Sequence, residues 1–327
     1  MRTVKKLTPV SVADQEKIIS SPKTRLAHRE LMMTFPAMSE LEIGGSASDK
    51  AMGLYVTVAA WNLERCLFVE QSAEKLSTLG ADVVLLSEMD SGMARSSQRH
   101  TARDLGELLG MQYCYGVEFY EMGLGSTSEI ERFCSDDQND FGWHGNAILS
   151  KVPIEKALLV RLDDHGHWFC TDEFADPAQP RIGGRMAIAA IINGICFVTT
   201  HLESAAKSDY RCSQMKTLLD KVEPFANGLP ILIGGDLNTG NQMPPDYDWR
   251  RETLFRYCEE RGYDWSFNPS GYTTRPSLIT IAPENKMKLD WFTTKGLEVV
   301  QAGIEPSINN NGTPLSDHDC IWLRAKV

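Results

Sequence analysis

Five apolar runs in this chain border residues that can hold a metal ion or move a proton. Val58-Ala59-Ala60-Trp61 leads into Asn62, with Glu64 two residues on, and Val83-Val84-Leu85-Leu86 leads into Ser87-Glu88. Phe197-Val198-Thr199-Thr200 ends in His201-Leu202-Glu203, and Ile231 to Gly235 ends in Asp236-Leu237-Asn238. Ser316-Asp317-His318 stands just before the last apolar run. A strand delivers the residues at its end to the edge of a sheet, so groups far apart in sequence can meet there. Singly, each ending has a plain explanation, because Asn and Asp close turns and a lone His or Glu is commonly structural. Taken together, endings built from Asn, Glu, His and Asp point to a site. Hard oxygen ligands of this kind suit Mg²⁺ or Mn²⁺, whereas Zn²⁺ favours more His or Cys. Nucleophilic Ser or Cys chemistry lacks support, since there is no Gly-x-Ser-x-Gly elbow and no Cys beside a convincing base.

The elements that must position these groups alternate along the chain. Val56–Trp61, Asp82–Leu86, Tyr113–Phe119 and Asn146–Leu149 are predicted strands, and Leu67–Leu79 and Thr101–Leu109 are predicted helices closed by Gly80 and Gly110. Arg185–Ile192 and Ile195–Thr200 flank Asn193-Gly194, a strong hairpin signal. Ala205–Asn227 and Arg251–Arg261 are predicted helices, and Pro230–Gly235, Leu289–Phe292 and Cys320–Lys326 are predicted strands. The polar stretch 120–142 reads as a long surface loop, as does Glu42–Asp49. Strands mixed with helices, and a hairpin that forces antiparallel pairing, suggest an α/β sandwich with helices outside. Residues 1–52 read as a partly helical extension, with a helix or two within Ala13–Met33, and 53–327 as one catalytic domain.

Composition narrows the class. The chain has 327 residues, a hydrophobic fraction of 42% and a charged fraction of 24%, values of an ordinary globular protein. Apolar stretches are strand-sized, which gives no membrane span. No apolar segment follows Arg2, Lys5 and Lys6 as a secretory signal would require. Eight cysteines stand singly without a C-x-x-C pair, so a reducing cytoplasm is expected. The formal net charge of −11 argues against a protein whose main task is gripping long nucleic acid, although it leaves room for a local basic groove.

At this level the chain resembles the endonuclease/exonuclease/phosphatase superfamily of metal-dependent hydrolases. The resemblance is carried by Trp61-Asn62-Leu63, Leu86-Ser87-Glu88, Gly145-Asn146-Ala147-Ile148-Leu149-Ser150 and Thr200-His201-Leu202-Glu203-Ser204. Gly235-Asp236-Leu237-Asn238, Leu289-Asp290-Trp291-Phe292 and Ser316-Asp317-His318 complete it in the family's order. In motif the chain is most similar to the tyrosyl-DNA phosphodiesterase-like branch. The resemblance implies a four-layer αββα sandwich of two mixed, largely antiparallel sheets with outer helices. It also implies in-line attack of an activated water on a phosphodiester, with Mg²⁺ or Mn²⁺ as cofactor. Glu88, with Asn62 beside it and Asp317 completing the shell, would hold the metal. Asp236 would orient or deprotonate the water, Asn238 would hydrogen-bond the phosphate or the nucleophile, and His318, its tautomer fixed by Asp290, would contact the phosphoryl group. His201 would bind the phosphate from the other side. Whether Asp236 or His318 is the base stays open.

Asn146, Glu118, His144 and Arg185 are further candidates for contact with the phosphate, each with an ordinary structural alternative. Trp143-His144 stands where many nucleases of the family have a Tyr that touches the phosphate, so that contact is not expected from a Tyr here, and His144 is the candidate substitute. The expected partner is a phosphodiester, nucleic acid or nucleotide in type, and a small-molecule or lipid phosphoester is the alternative. A non-catalytic binding protein on the same fold would be signalled by loss of Glu88, Asp236 or His318, and all three are present. The stretches 120–142 and Asp163–Pro180, the latter with His165, His167 and Trp168, would shape the cleft or form plain surface loops.

Overall fold

The computed structural model describes residues 1–48, 52–170, 180–244, 247–281 and 286–327. Alternation along β3 (Tyr55–Arg65) sets the layering. Val56, Val58 and Ala60 face a core between two sheets, while Ala59, Trp61 and Leu63 face a second core beneath helices. A strand covered on both faces reads as a continuous apolar run, which is why these strands stood out in the sequence.

The larger sheet runs in the order β1 (Arg2–Val4), β2 (Glu40–Gly44), β5 (Gln112–Glu121), β6 (Trp143–Ser150), β4 (Val83–Ser91), β3, β14 (Cys320–Lys326) and β13 (Glu298–Glu305), with β8 (Arg181–Gly183) also on β5. The smaller runs β12 (Asp290–Lys295), β11 (Ile231–Asp236), β10 (Ile195–His201), β9 (Met186–Ile192) and β7 (Lys156–Arg161). Among the described residues only β1–β2, β3–β4 and β10–β11 pair in parallel, so both sheets are mixed and largely antiparallel as expected. Asn193 and Gly194 both take positive φ, as a tight two-residue hairpin requires, and Ile192 faces Ile195 across it.

On the outer face of the larger sheet, α1 (Val12–Ser20), α2 (Arg25–Thr34), α3 (Val69–Leu79) and α4 (Thr101–Leu109) contribute Ile18, Leu31, Leu76 and Leu105 to the core. The smaller sheet is covered by α6 (Ser208–Ala226) and α7 (Thr253–Glu260), which bring Met215, Leu218, Leu254 and Phe255 against Ala189, Val198 and Ile233. Between the sheets, Leu85 and Ile148 meet Ile188, Phe197 and Leu232. Helix, sheet, sheet and helix make the expected sandwich.

Two loop expectations are corrected. Glu42 to Gly44 belong to β2, which pairs with β5, and buried Glu42 accepts from Tyr113 Oη at 2.8 Å. Its acidic and glycine-rich composition hid a strand held by backbone pairing. Within 120–142 the chain forms α5 (Thr127–Phe133), started by a capping box in which Ser126 and Glu129 exchange hydrogen bonds. Of the stretches 42–49 and 163–180, Asp49 and residues 171–179 lie outside the described residues. Among the described residues the cysteines form no disulfide. Among the described residues no helix is long and apolar enough to cross a membrane.

Candidate active site

Strand pairing gathers the polar endings at one edge of the sandwich. Asn62 lies opposite Ser87 in the β3–β4 ladder, and His201 and Asp290 both lie opposite Asp236, on β10 and β12. Gly235 permits the approach, with φ of 145° and a position where an added Cβ would sit 2.0 Å from the Thr200 carbonyl oxygen. Two of the polar residues are themselves in the left-handed region, Glu88 at φ 57° and Asn238 at φ 50°. Such backbone costs free energy and concentrates at functional sites.

Asp236 is the centre. Its Oδ2 accepts from Asn62 Nδ2 at 3.1 Å and lies 3.5 Å from His201 Nε2 and 3.7 Å from His318 Nε2. Its Oδ1 accepts from the Asn238 backbone amide at 2.9 Å. The side-chain amide of Asn238 donates to Leu202 O at 2.9 Å. Behind the centre, His318 Nδ1 is 2.8 Å from Asp290 Oδ2. Trp61 Nε1 donates to the His318 carbonyl at 2.9 Å, and Ser316 Oγ donates to the Asn62 carbonyl at 2.6 Å, which locks the 316–318 turn to β3. Burial opposes a charge on His318, but Asp290, Asp236 and Asp317 outweigh it and raise its pKa well above the usual imidazole value.

Glu88 shares Oε1 with Asn62 Nδ2 at 3.1 Å. Its other oxygen is taken by Arg65, whose Nε also donates to Glu129 Oε1 at 3.0 Å. Burial works against ionisation of Glu88, yet Arg65, His144 and His201 hold its pKa well below the usual carboxylate range. Sequence reasoning missed Arg65. β3 ends in three successive left-handed residues, Glu64, Arg65 and Cys66, which curl Arg65 back toward β4. Glu64 lies on the other side of this turn. It is buried, accepts from Ser277 Oγ at 2.7 Å and shares the Thr280 hydroxyl with Asp317. Burial and the nearby Asp317 push its pKa up to about 8.

A second set lies on the far side of Asp236. Arg185 Nη1 donates to Glu118 Oε1 at 2.9 Å and lies 2.8 Å from His201 Nδ1, and its Nε faces Glu203 at 3.4 Å. Glu118 is fully buried, and its pKa falls to about 2 because His201 and Arg185 overcome the effect of burial. For His201, burial and Arg185 press downward while Glu118 and Asp236 raise the pKa on balance. Asn146 donates to the Met186 carbonyl at 3.0 Å and leaves its own Oδ1 without a partner. His144 is joined to Asp90 at 2.8 Å within the buried Asp90–Arg95–Glu121 network. Arg185 and His144 thus have protein partners already, which no sequence pattern could reveal.

The oxygen-rich donor set fits a hard divalent cation. Asn62 and Glu88 touch, and Asp236, Asp290 and His318 bring ligand atoms within 4.8 Å of one another. Asp290 Oδ1 is buried without a partner, and such an atom is costly to leave unsatisfied.

Comparison with known proteins follows the same outline. Residues 59–318 match the model of the Endonuclease/Exonuclease/phosphatase family. No curated protein matches. An endonuclease/exonuclease/phosphatase from Beutenbergia cavernae is similar in structure, with a TM-score of 0.60, 17% identity, 84% of this chain and 72% of that one covered. Humanized D. rerio TDP2 gives 0.51 and 15%, over 84% of this chain and 100% of that one. A mannosyl-6-phosphatase from Bacteroides thetaiotaomicron gives 0.53 and 16%, over 83% and 100%. At these identities the likeness concerns the fold.

Proposed function

As the chain belongs to the endonuclease/exonuclease/phosphatase family, we propose that it is a divalent-metal-dependent hydrolase that cleaves a nucleotide-type phosphodiester with water. The observation that carries this is the convergence of Asn62, His201 and His318 on one oxygen of Asp236, with Asp290 behind His318. A phosphodiester repels anionic nucleophiles, so the site must supply positive charge, a base and an in-line water.

The roles divide by environment. Carboxylates on three sides raise the pKa of His318 well above the usual imidazole value, and its Nε2 would donate to a phosphoryl oxygen. Asp290 fixes Nδ1 as a donor and orients the ring. We assign the proton of the attacking water to Asp236, because the carboxylates around His318 favour its charged form. His201 faces the phosphate opposite His318, backed by Glu118, and Asn238 with Asn146 supplies neutral polar contacts. Glu88, Asn62 and Asp317 would hold Mg²⁺ or Mn²⁺. When bound, that ion neutralises the non-bridging oxygens and the charge developing on the leaving oxygen.

A small phosphomonoester or lipid phosphoester is the second reading. It is favoured by Arg65 and Arg185, each already committed to two carboxylates and poorly disposed to track a long polyanion. The mannosyl-6-phosphatase shows that a protein of similar fold can act on a monoester. Purified protein assayed on bis-p-nitrophenyl phosphate, p-nitrophenyl phosphate and a short single-stranded oligonucleotide, each with Mg²⁺, Mn²⁺ or EDTA, separates the readings. Metal-dependent cleavage of diesters above monoester is expected. Preference for the monoester selects the second reading, and EDTA-resistant cleavage contradicts both.

A further inference from the structure

Beside β12, on the face turned toward α7, lies a cavity of about 640 Å³ walled by Trp249, Phe255, Trp265, Tyr272, Lys288 and Trp291. Trp249 and Trp291 are tilted against each other with centroids 4.5 Å apart, and Phe255 packs edge to face on Trp265 at 4.9 Å. Trp249, Tyr272 and Lys288 also line a neighbouring cleft of about 600 Å³ that includes Thr239 and Asn241. Those two residues adjoin Asn238, so the cavity and the catalytic edge share one stretch of surface. Trp291 follows Asp290, and its Nε1 donates to Thr239 Oγ1 at 3.0 Å, which ties the cavity wall to the turn after Asp236.

Two polar groups stand in this aromatic setting, one without a hydrogen-bond partner and one without a counter-charge. Trp265 Nε1 is buried with no hydrogen-bond partner. Lys288 is 4% exposed, and its ammonium lies 4.2 Å from the centroid of Trp291 and 5.9 Å from that of Trp249. It donates to the Pro269 carbonyl, yet among the described residues no salt bridge joins it to a carboxylate. A buried unpaired cation and an orphaned N–H are each unfavourable by themselves.

We propose that this cavity seats the base of a nucleoside phosphate, the ring against Trp249 and Tyr272 and the phosphate side turned toward Lys288. An aliphatic ligand would leave Lys288 without a counter-charge, and a bare anion would leave the aromatic walls unused. A planar ring with an attached anion meets both. This rests on the phosphoester hydrolase reading, which it narrows to substrates bearing an aromatic base.

Calorimetric titration with AMP and with ribose 5-phosphate, both in EDTA, tests the seat without turnover. The wild type is expected to bind AMP at least tenfold more tightly than ribose 5-phosphate. Trp249→Ala and Tyr272→Ala should each weaken AMP at least fivefold, the range of base–aromatic stacking, and Trp249→Phe should restore most of the loss. Tyr272 is exposed, so its variant keeps the fold. Lys288→Gln should weaken both ligands. Equal binding of AMP and ribose 5-phosphate, or AMP binding indifferent to the three ring variants, overturns the proposal. Should the wild type still cleave bis-p-nitrophenyl phosphate in that event, the hydrolase reading survives. Ring-dependent AMP binding without any hydrolysis supports the seat and contradicts the hydrolase reading instead.

Discussion

His318 Nδ1 lies 2.8 Å from Asp290 Oδ2, and the opposite nitrogen of the ring points at Asp236 Oδ2 across 3.7 Å. A carboxylate beside one imidazole nitrogen keeps a proton there, so the other nitrogen accepts in the neutral ring and donates in the protonated one. Asp290→Asn keeps the shape and removes the charge. It is expected to lower kcat by about 10²-fold or more with a small change in KM, the scale of a mis-set acid–base group. Steady-state kinetics on bis-p-nitrophenyl phosphate would check this, and an unchanged kcat would remove Asp290 from the account.

Metal binding separates two sets of ligands. If Glu88 and Asn62 hold the ion, Glu88→Ala should lose Mn²⁺ binding in a calorimetric titration while Asp290→Asn retains it. The reverse result would place the ion among Asp236, Asp290 and His318, whose ligand atoms also lie close together.

The charge network behind the site is structural. Arg95 is buried, with Nε 2.8 Å from Asp90 and Nη1 2.9 Å from Glu121. Arg95→Met leaves both carboxylates without their cation, and loss of about 3–5 kcal/mol is expected from breaking a buried pair. Urea unfolding followed by circular dichroism measures it. A variant as stable as the wild type would mean that Arg181 and Arg65 compensate.

Acid should loosen the same region. Burial opposes ionisation of Glu129, but Arg65 and Arg95 bring its pKa down from 4.5 to about 2. A carboxylate depressed on folding adds stability in full above its unfolded pKa and loses it as pH falls through the folded one. Here the loss falls between pH 4.5 and about 2, and the shift corresponds to about 3 kcal/mol. Glu129→Gln should therefore be less stable at neutral pH and show a shallower decline over that window. An identical decline in both proteins would contradict the assignment.

Much of this was legible beforehand because buried strands and capped helices announce themselves. Thr101–Leu109 with Gly110 at φ 64°, and Cys320–Lys326, have the bounds read from the sequence. The polar endings of β3, β4, β10 and β11 were visible because each interrupts an apolar run. Other elements were not visible for physical reasons. β13 is an edge strand with Glu298 and Gln301 exposed, so its apolar alternation is weak. α5 announced itself only through Ser126 and Glu129, four residues inside a stretch that otherwise reads as loop. Arg65 was hidden because its place depends on three left-handed residues, which no periodicity reports.

The central claim is that Asp236 is the base on which the site converges. Single-turnover hydrolysis of bis-p-nitrophenyl phosphate by Asp236→Asn protein, with Mn²⁺ affinity measured on the same sample, tests it most directly. The account predicts a folded variant that still binds Mn²⁺ and cleaves about 10³-fold more slowly than the wild type. Cleavage at the wild-type rate with the metal bound would contradict it.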